Sequence, residues 1–141
     1  MPLRTWSAGL FAYARISVLA FVFLTFGSIT LYPGGNYVNR QSRGYDVLRN
    51  FLSDLGMPLS WGNQANPVGA FLFVSGEVCL ATGLLAFFVA FVRLSATAPR
   101  ARNWGRAAAV VGIVVALALI AAGLTPANRL LTLHVQAALL A

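Results

Sequence analysis

The residues able to do chemistry are few in this sequence. It has three acids (Asp46, Asp54, Glu77), one histidine (His134) and one cysteine (Cys79). Asp54 and His134 are the natural partners. A carboxylate accepting from an imidazole N–H fixes the ring's tautomer, and the same pair could be half of an acid–base or metal site. One histidine and one aspartate fall short of a usual ligand set, and no His-x3-His or cysteine pair is present, so no metal or cofactor is expected. Glu77 stands alone in an apolar stretch. It reads either as a proton or cation relay or as a neutral acid bonded to a neighbouring helix. No phosphate loop, dinucleotide fingerprint, G-x-S-x-G or H-E-x-x-H motif occurs.

The surroundings of these groups follow from composition. Of 141 residues, 59 % are hydrophobic and 9 % charged, against roughly a quarter charged in a soluble domain. So little charge cannot cover a water-facing surface. Disorder is excluded by hydrophobicity, and a disulfide scaffold by the single cysteine. The expected fold is all-α: a transmembrane helix bundle in a lipid bilayer. Ile16 to Tyr32 carries no charge, and with Tyr13 and Arg15 at the headgroups the first span is expected over about 14–32. Asn66-Pro67 opens a second span, 67–92, with Asn66 as an accepting N-cap and Pro67 at the first helical position. Arg106 and Arg129 bracket a third, 107–125, whose helix should stop near Gly123 and Pro126. A fourth begins over 129–141. Because the sequence stops within an apolar run, further transmembrane helices of the same chain are expected beyond residue 141.

The ten basic residues are all arginine and give a net charge of +7. They sit at the ends of apolar stretches and not in one patch with aromatics, so nucleic acid is not the expected partner. The 93–106 connector holds Arg93, Arg100, Arg102 and Arg106 without an acid. The positive-inside rule places it in the cytoplasm, along with the N-terminus carrying Arg4 and Arg15, in a multi-pass protein of the cell membrane. The 33–66 loop then faces outward.

Gly69, Gly76, Gly83 and Ala90 recur every seven residues in the second span, with Leu72, Cys79 and Ala86 between them. Ala108, Gly112 and Ala116 repeat small-xxx-small spacing in the third. Both are expected to be helix–helix contacts, with Cys79 a packing residue. In the outer loop Pro33-Gly34-Gly35-Asn36 is a turn. Tyr45, Leu48, Phe51, Leu52 and Leu55 follow helical spacing, predicting a short amphipathic helix ended by Gly56 and Pro58. Asp46 and Arg49 would be a surface ion pair on it. Asp54 would sit at its C-terminus, where the dipole disfavours an anion, so it is either a solvated loop acid or held by an arginine or a metal.

Three segments in this order resemble one family. They are Asn50-Phe-Leu-Ser-Asp-Leu-Gly56, Asn66-x4-Phe71-x4-Gly76, and Gly123-Leu-Thr-Pro-Ala-Asn-Arg129 followed by His134. Together they are similar to the domain of unknown function 998 family of bacterial and archaeal multi-pass membrane proteins. The resemblance runs from about residue 16 to 141. It implies a six-helix fold and a membrane location, and it implies no activity. The longer 33–66 loop and Glu77 depart from the family pattern.

The expected topology brings Ser53, Asp54, Asn66, Asn128, Arg129 and His134 to one membrane surface. Asp54 accepting from His134 would pin the loop to the bundle, with Ser53, Asn50, Asn66 and Arg129 as structural polar contacts. Three functional readings follow. The first is a structural or accessory membrane protein, with lipid and possible membrane-protein partners. The second is a proton- or ion-coupled transporter using Glu77. The third is a membrane hydrolase or lipid-modifying enzyme with an Asp54/His134 site on the outer face.

Overall fold

A computed structural model describes residues 2–97, 99–126 and 130–141, with side chains from Trp6 onward. Four α-helices account for most of it: α1 (Pro2–Leu31), α2 (Pro67–Ser95), α3 (Arg102–Leu124) and α4 (Leu131–Leu140). One 3-10 helix, Leu52–Gly56, lies in the loop between α1 and α2. Among the described residues there is no β-strand; the loop carries two isolated bridges, Gly34 with Arg43 and Leu59 with Ala65. The protein is an all-α bundle in which α1, α2 and α3 are each long and apolar enough to cross a membrane.

The helices start where local chemistry allows. Pro2 and Pro67 open α1 and α2 at a position where a missing N–H costs nothing. Large apolar side chains point outward: Phe23, Phe26 and Phe71 are each about two-thirds exposed or more. Small ones face inward, with Ala81, Ala90 and Ala116 fully buried. That arrangement exposes too much hydrocarbon for water and suits lipid, where backbones approach over small residues.

Contacts fix the relative heights of the helices. Between α1 and α2, Trp6 meets Arg93, Phe11 meets Phe87, Ser17 meets Gly83, and Leu24 meets Gly76. At the outer end Ser28 Oγ donates to the Gly69 carbonyl at 2.8 Å. Between α2 and α3, Ser95 meets Gly105, Phe88 meets Gly112, and Glu77 meets Gly123. A Cβ on Gly112 would collide with the Phe88 ring, so the small-residue spacing in α3 is a packing requirement.

This register places the outer end of α3, Leu124, level with Gly76. Gly76 lies nine residues inside the start of α2, about 13 Å along its axis. α3 therefore stops well short of the height that α1 and α2 reach. Thr125 closes its last turn, its backbone N–H donating to the Ala122 carbonyl and its hydroxyl to the Ala121 carbonyl. α4 begins a few residues later.

The α1–α2 loop dips toward the level left open. Leu55 packs in a cluster with Tyr32 and Phe73, and Gly56 lies against the Phe73 ring, where a Cβ would come within 3.1 Å. Phe73 is six residues into α2, about 9 Å below its first residue. It is also one turn above Glu77 on the same face. The 3-10 segment is thus held one helical turn above the level at which α3 ends.

Candidate functional site: a buried polar cap above a short helix

Irregular backbone buried against the bundle must have its N–H and C=O groups satisfied internally. Here asparagine and aspartate side chains do it. The turn begins at Gly34 and Gly35, both at positive φ, and a Cβ on Gly35 would strike the backbone of Trp61 and Gly62. Asn36, fully buried, accepts from the N–H groups of Val38 (3.0 Å) and Asn39 (2.7 Å). Its amide donates to Ser42 Oγ at 3.2 Å.

Asn50 bridges two parts of the loop. Its Oδ1 accepts from Asp46 N–H, and its Nδ2 donates to the Gly35 carbonyl (3.0 Å) and to Asp54 Oδ2 (2.9 Å). Asp54 is 1 % exposed. Beside Asn50, it accepts from Phe51 N–H at Oδ2 and from the Trp61 indole at Oδ1, each at 3.0 Å. Asn66 ties the cap to α2, its Nδ2 donating to the carbonyls of Leu55 (3.1 Å) and Met57 (3.0 Å).

These contacts change three expectations. The Tyr45–Leu55 stripe does not form a continuous helix, and its helical part is the shorter 3-10 segment at its end. Asn50 Oδ1 accepts the Asp46 N–H and Asp46 Oδ1 accepts the Leu48 N–H, local side-chain bonds that hold this stretch as a turn. Asp54 consequently lies in the first turn of a helix, not the last, and its carboxylate accepts the N–H of Phe51 at the N-terminal boundary, as in a capping box. Asn66, expected to accept as an N-cap, makes no side-chain cap bond and donates to the loop. Asp46 and Arg49 form the expected exposed pair, at 3.9 Å.

Asp54 and His134 are not hydrogen-bonded to each other. Asp54 is occupied by its own loop, and His134, mostly buried, places Nδ1 at 3.1 Å from the Ala122 carbonyl. A carbonyl only accepts, so Nδ1 carries the proton in that contact. The two residues do wall one cavity of about 570 Å³, together with Tyr37, Phe51 and Trp61 of the cap and Leu131, Val135 and Leu139 of α4. Ser53, half-buried, is on the same wall. Asn128 and Arg129 lie outside the described residues. Among those described, no group of three or more His, Cys, Asp or Glu could hold a metal.

Glu77 is 9 % exposed, and its Oε2 has no hydrogen-bond partner among the described residues. The carboxyl sits against Gly123, and a Cβ there would collide with Oε2. The last turn of α3 thus carries Glu77 at Gly123 and His134 at Ala122.

The sequence leaves Trp61 unmarked, and it marks Asn36, Tyr32 and Gly123 only as a turn residue, a span end and a helix end. The Tyr32 hydroxyl donates to the Gly35 carbonyl at 3.2 Å. Burial above all pushes its pKa up to about 12, and the nearby Asp54 charge adds to the shift. Burial, with Asp54 second, also raises Tyr45. Trp61 had one available signal, an indole in a loop otherwise rich in glycine and asparagine, since a buried indole N–H needs an acceptor. No family model matches the chain, and no curated protein or solved structure is significantly similar to it.

Proposed function

We propose that this is a multi-pass protein of the cell membrane, its N-terminus cytoplasmic, acting as a structural or accessory component through the shaped outer cap. One observation carries the reading: both oxygens of Asp54 are taken by Asn50, Phe51 and Trp61 of the same loop. A carboxylate so engaged is a tie, not a poised acid or base. The order of Asn50–Gly56, Asn66–Gly76 and Gly123–His134 supports membership of the domain of unknown function 998 family as part of the same proposal. The test is Asp54→Asn in the purified protein. The reading expects a lower melting temperature and faster proteolysis within 33–66. An unchanged fold with loss of a measurable turnover would favour the enzyme reading. Orientation is tested by a cysteine at Ala98, which should be labelled by an impermeant maleimide only after the cells are opened.

Glu77 favours a second reading, a proton or cation relay. A buried carboxyl oxygen without a partner, beside the carbonyl end of a helix that stops within the bundle, is an electrostatic site for a positive charge. Proteoliposomes test it: flux driven by a pH or ion gradient should vanish in Glu77→Gln with reconstitution unchanged. Equal flux in both proteins, or none in either, removes the relay.

A further inference from the structure

A second site lies at the opposite end of the bundle. Along one side of the α1–α2 seam, Ala8, Phe11 and Ala14 face Gly83, Leu84 and Phe87 across an apolar groove of about 860 Å³. Arg15 is the one charged residue lining it, and its side chain is exposed. Trp6, stacked under Arg93 at 5.8 Å, marks the arginine-rich end of the bundle. Arg15 is nine residues further along α1, about 13 Å toward the middle of the membrane. Helical side chains lean toward their helix's N-terminus, and a long arginine extends further to reach headgroups. Both tendencies carry the guanidinium back along the groove toward Trp6, while the groove continues the other way to Val18 and Leu19.

Among the described residues no acid faces this guanidinium. Asp46 and Asp54 belong to the cap at the far end, and Glu77 is turned to Gly123 on α3. The residues around the near end are Arg93, Arg100, Arg102 and Arg106. An exposed arginine lining an apolar groove complements a negative headgroup bearing an acyl chain, with the guanidinium reaching back toward the arginine-rich end.

We propose that the α1–α2 groove binds one anionic phospholipid from the leaflet at the arginine-rich end, with its phosphate on Arg15 and an acyl chain between Phe11 and Phe87. The test uses the full chain purified in detergent and mixed with phosphatidylglycerol or phosphatidylcholine, with retained lipid counted by native mass spectrometry. Wild-type protein should keep one phosphatidylglycerol in preference to phosphatidylcholine. Arg15→Gln should cut that preference about fivefold, the effect of one arginine at an anionic surface. Ala8→Trp, at an exposed position on the groove, should displace both lipids while leaving the melting temperature of lipid-free protein unchanged. Phosphatidylglycerol retention unaffected by Arg15→Gln would overturn the proposal. So would a dimer that forms through this groove and excludes lipid.

Discussion

The two buried acids of this protein sit about one helical turn of α2 apart in height and have opposite surroundings. Asp54, in the cap, is met by an amide, a backbone N–H and an indole, all from its own loop. Glu77, on α2 below it, has a carboxyl oxygen, Oε2, with no partner among the described residues and a glycine where a side chain would otherwise intrude. The first arrangement is what a buried irregular backbone demands. The second is not needed to hold any element in place, because α2 and α3 already pack through Gly105 against Ser95 and Gly112 against Phe88. One acid secures the fold, and the other is carried by it.

Removing each carboxylate should therefore have opposite effects. Asp54→Ala leaves three donors without an acceptor and should cost about 3–5 kcal/mol, read as a large drop in melting temperature in detergent. Glu77→Met replaces a carboxyl whose Oε2 has no partner among the described residues by an apolar group of similar size, and should be neutral or stabilising by about 1 kcal/mol. Equal losses in both variants would dissolve the distinction.

Gly123→Ala comes next in size. The new methyl group meets the Glu77 carboxyl, so destabilisation of about 1–3 kcal/mol is expected, falling by at least half in a Glu77→Ala background. Additive effects in that double-mutant cycle would show that Glu77 does not occupy the space beside Gly123. A cycle between Asp54→Asn and His134→Gln should show coupling below about 0.5 kcal/mol, since the two residues share a cavity without a hydrogen bond. Strong coupling would restore the direct pair.

The smallest effect concerns pH. Tyr32 titrates at about 12 in the folded cap, against 10.0 ordinarily. The folded state thus holds this proton more tightly than the unfolded chain does. Its contribution is fully present below pH 10 and is lost as the pH rises toward 12. Tyrosinate absorbance should appear late and together with loosening of the cap. Tyr32→Phe should flatten this part of the pH–stability curve, at a cost of about 1 kcal/mol for the hydrogen bond to Gly35.

How much of this was legible beforehand depended on whether the signal was local. Long apolar runs with at most one charge, each flanked by arginine on at least one side, mark the helices that could cross a membrane, because that requirement is one of length and composition. Small-residue spacing at Gly76, Gly83, Gly112 and Ala116 pointed to packing faces, because backbone approach is periodic along a helix. The register between helices was hidden, and with it the early end of α3 and the meeting of Glu77 with Gly123. The cap was misread for a different reason. Apolar spacing from Tyr45 to Leu55 is helical, but Asn50, Asp46 and Asp54 each accept a different backbone N–H of that stretch, and their combined effect depends on Gly35 and Trp61, outside it. Asp54 was picked out as an anchor for the wrong reason, its place in a helix being the reverse of that expected.

Hydrogen exchange of the outer loop in a lipid nanodisc addresses the cap most directly. The amides of Phe51, Asp54, Met57 and Asn66 are all hydrogen-bonded within it. They should exchange as slowly as the outer turns of α2 and become fast in Asp54→Ala. Exchange at the rate of an open surface loop in the unmodified protein would mean that the segment does not dip into the bundle and that Asp54 does not hold it there.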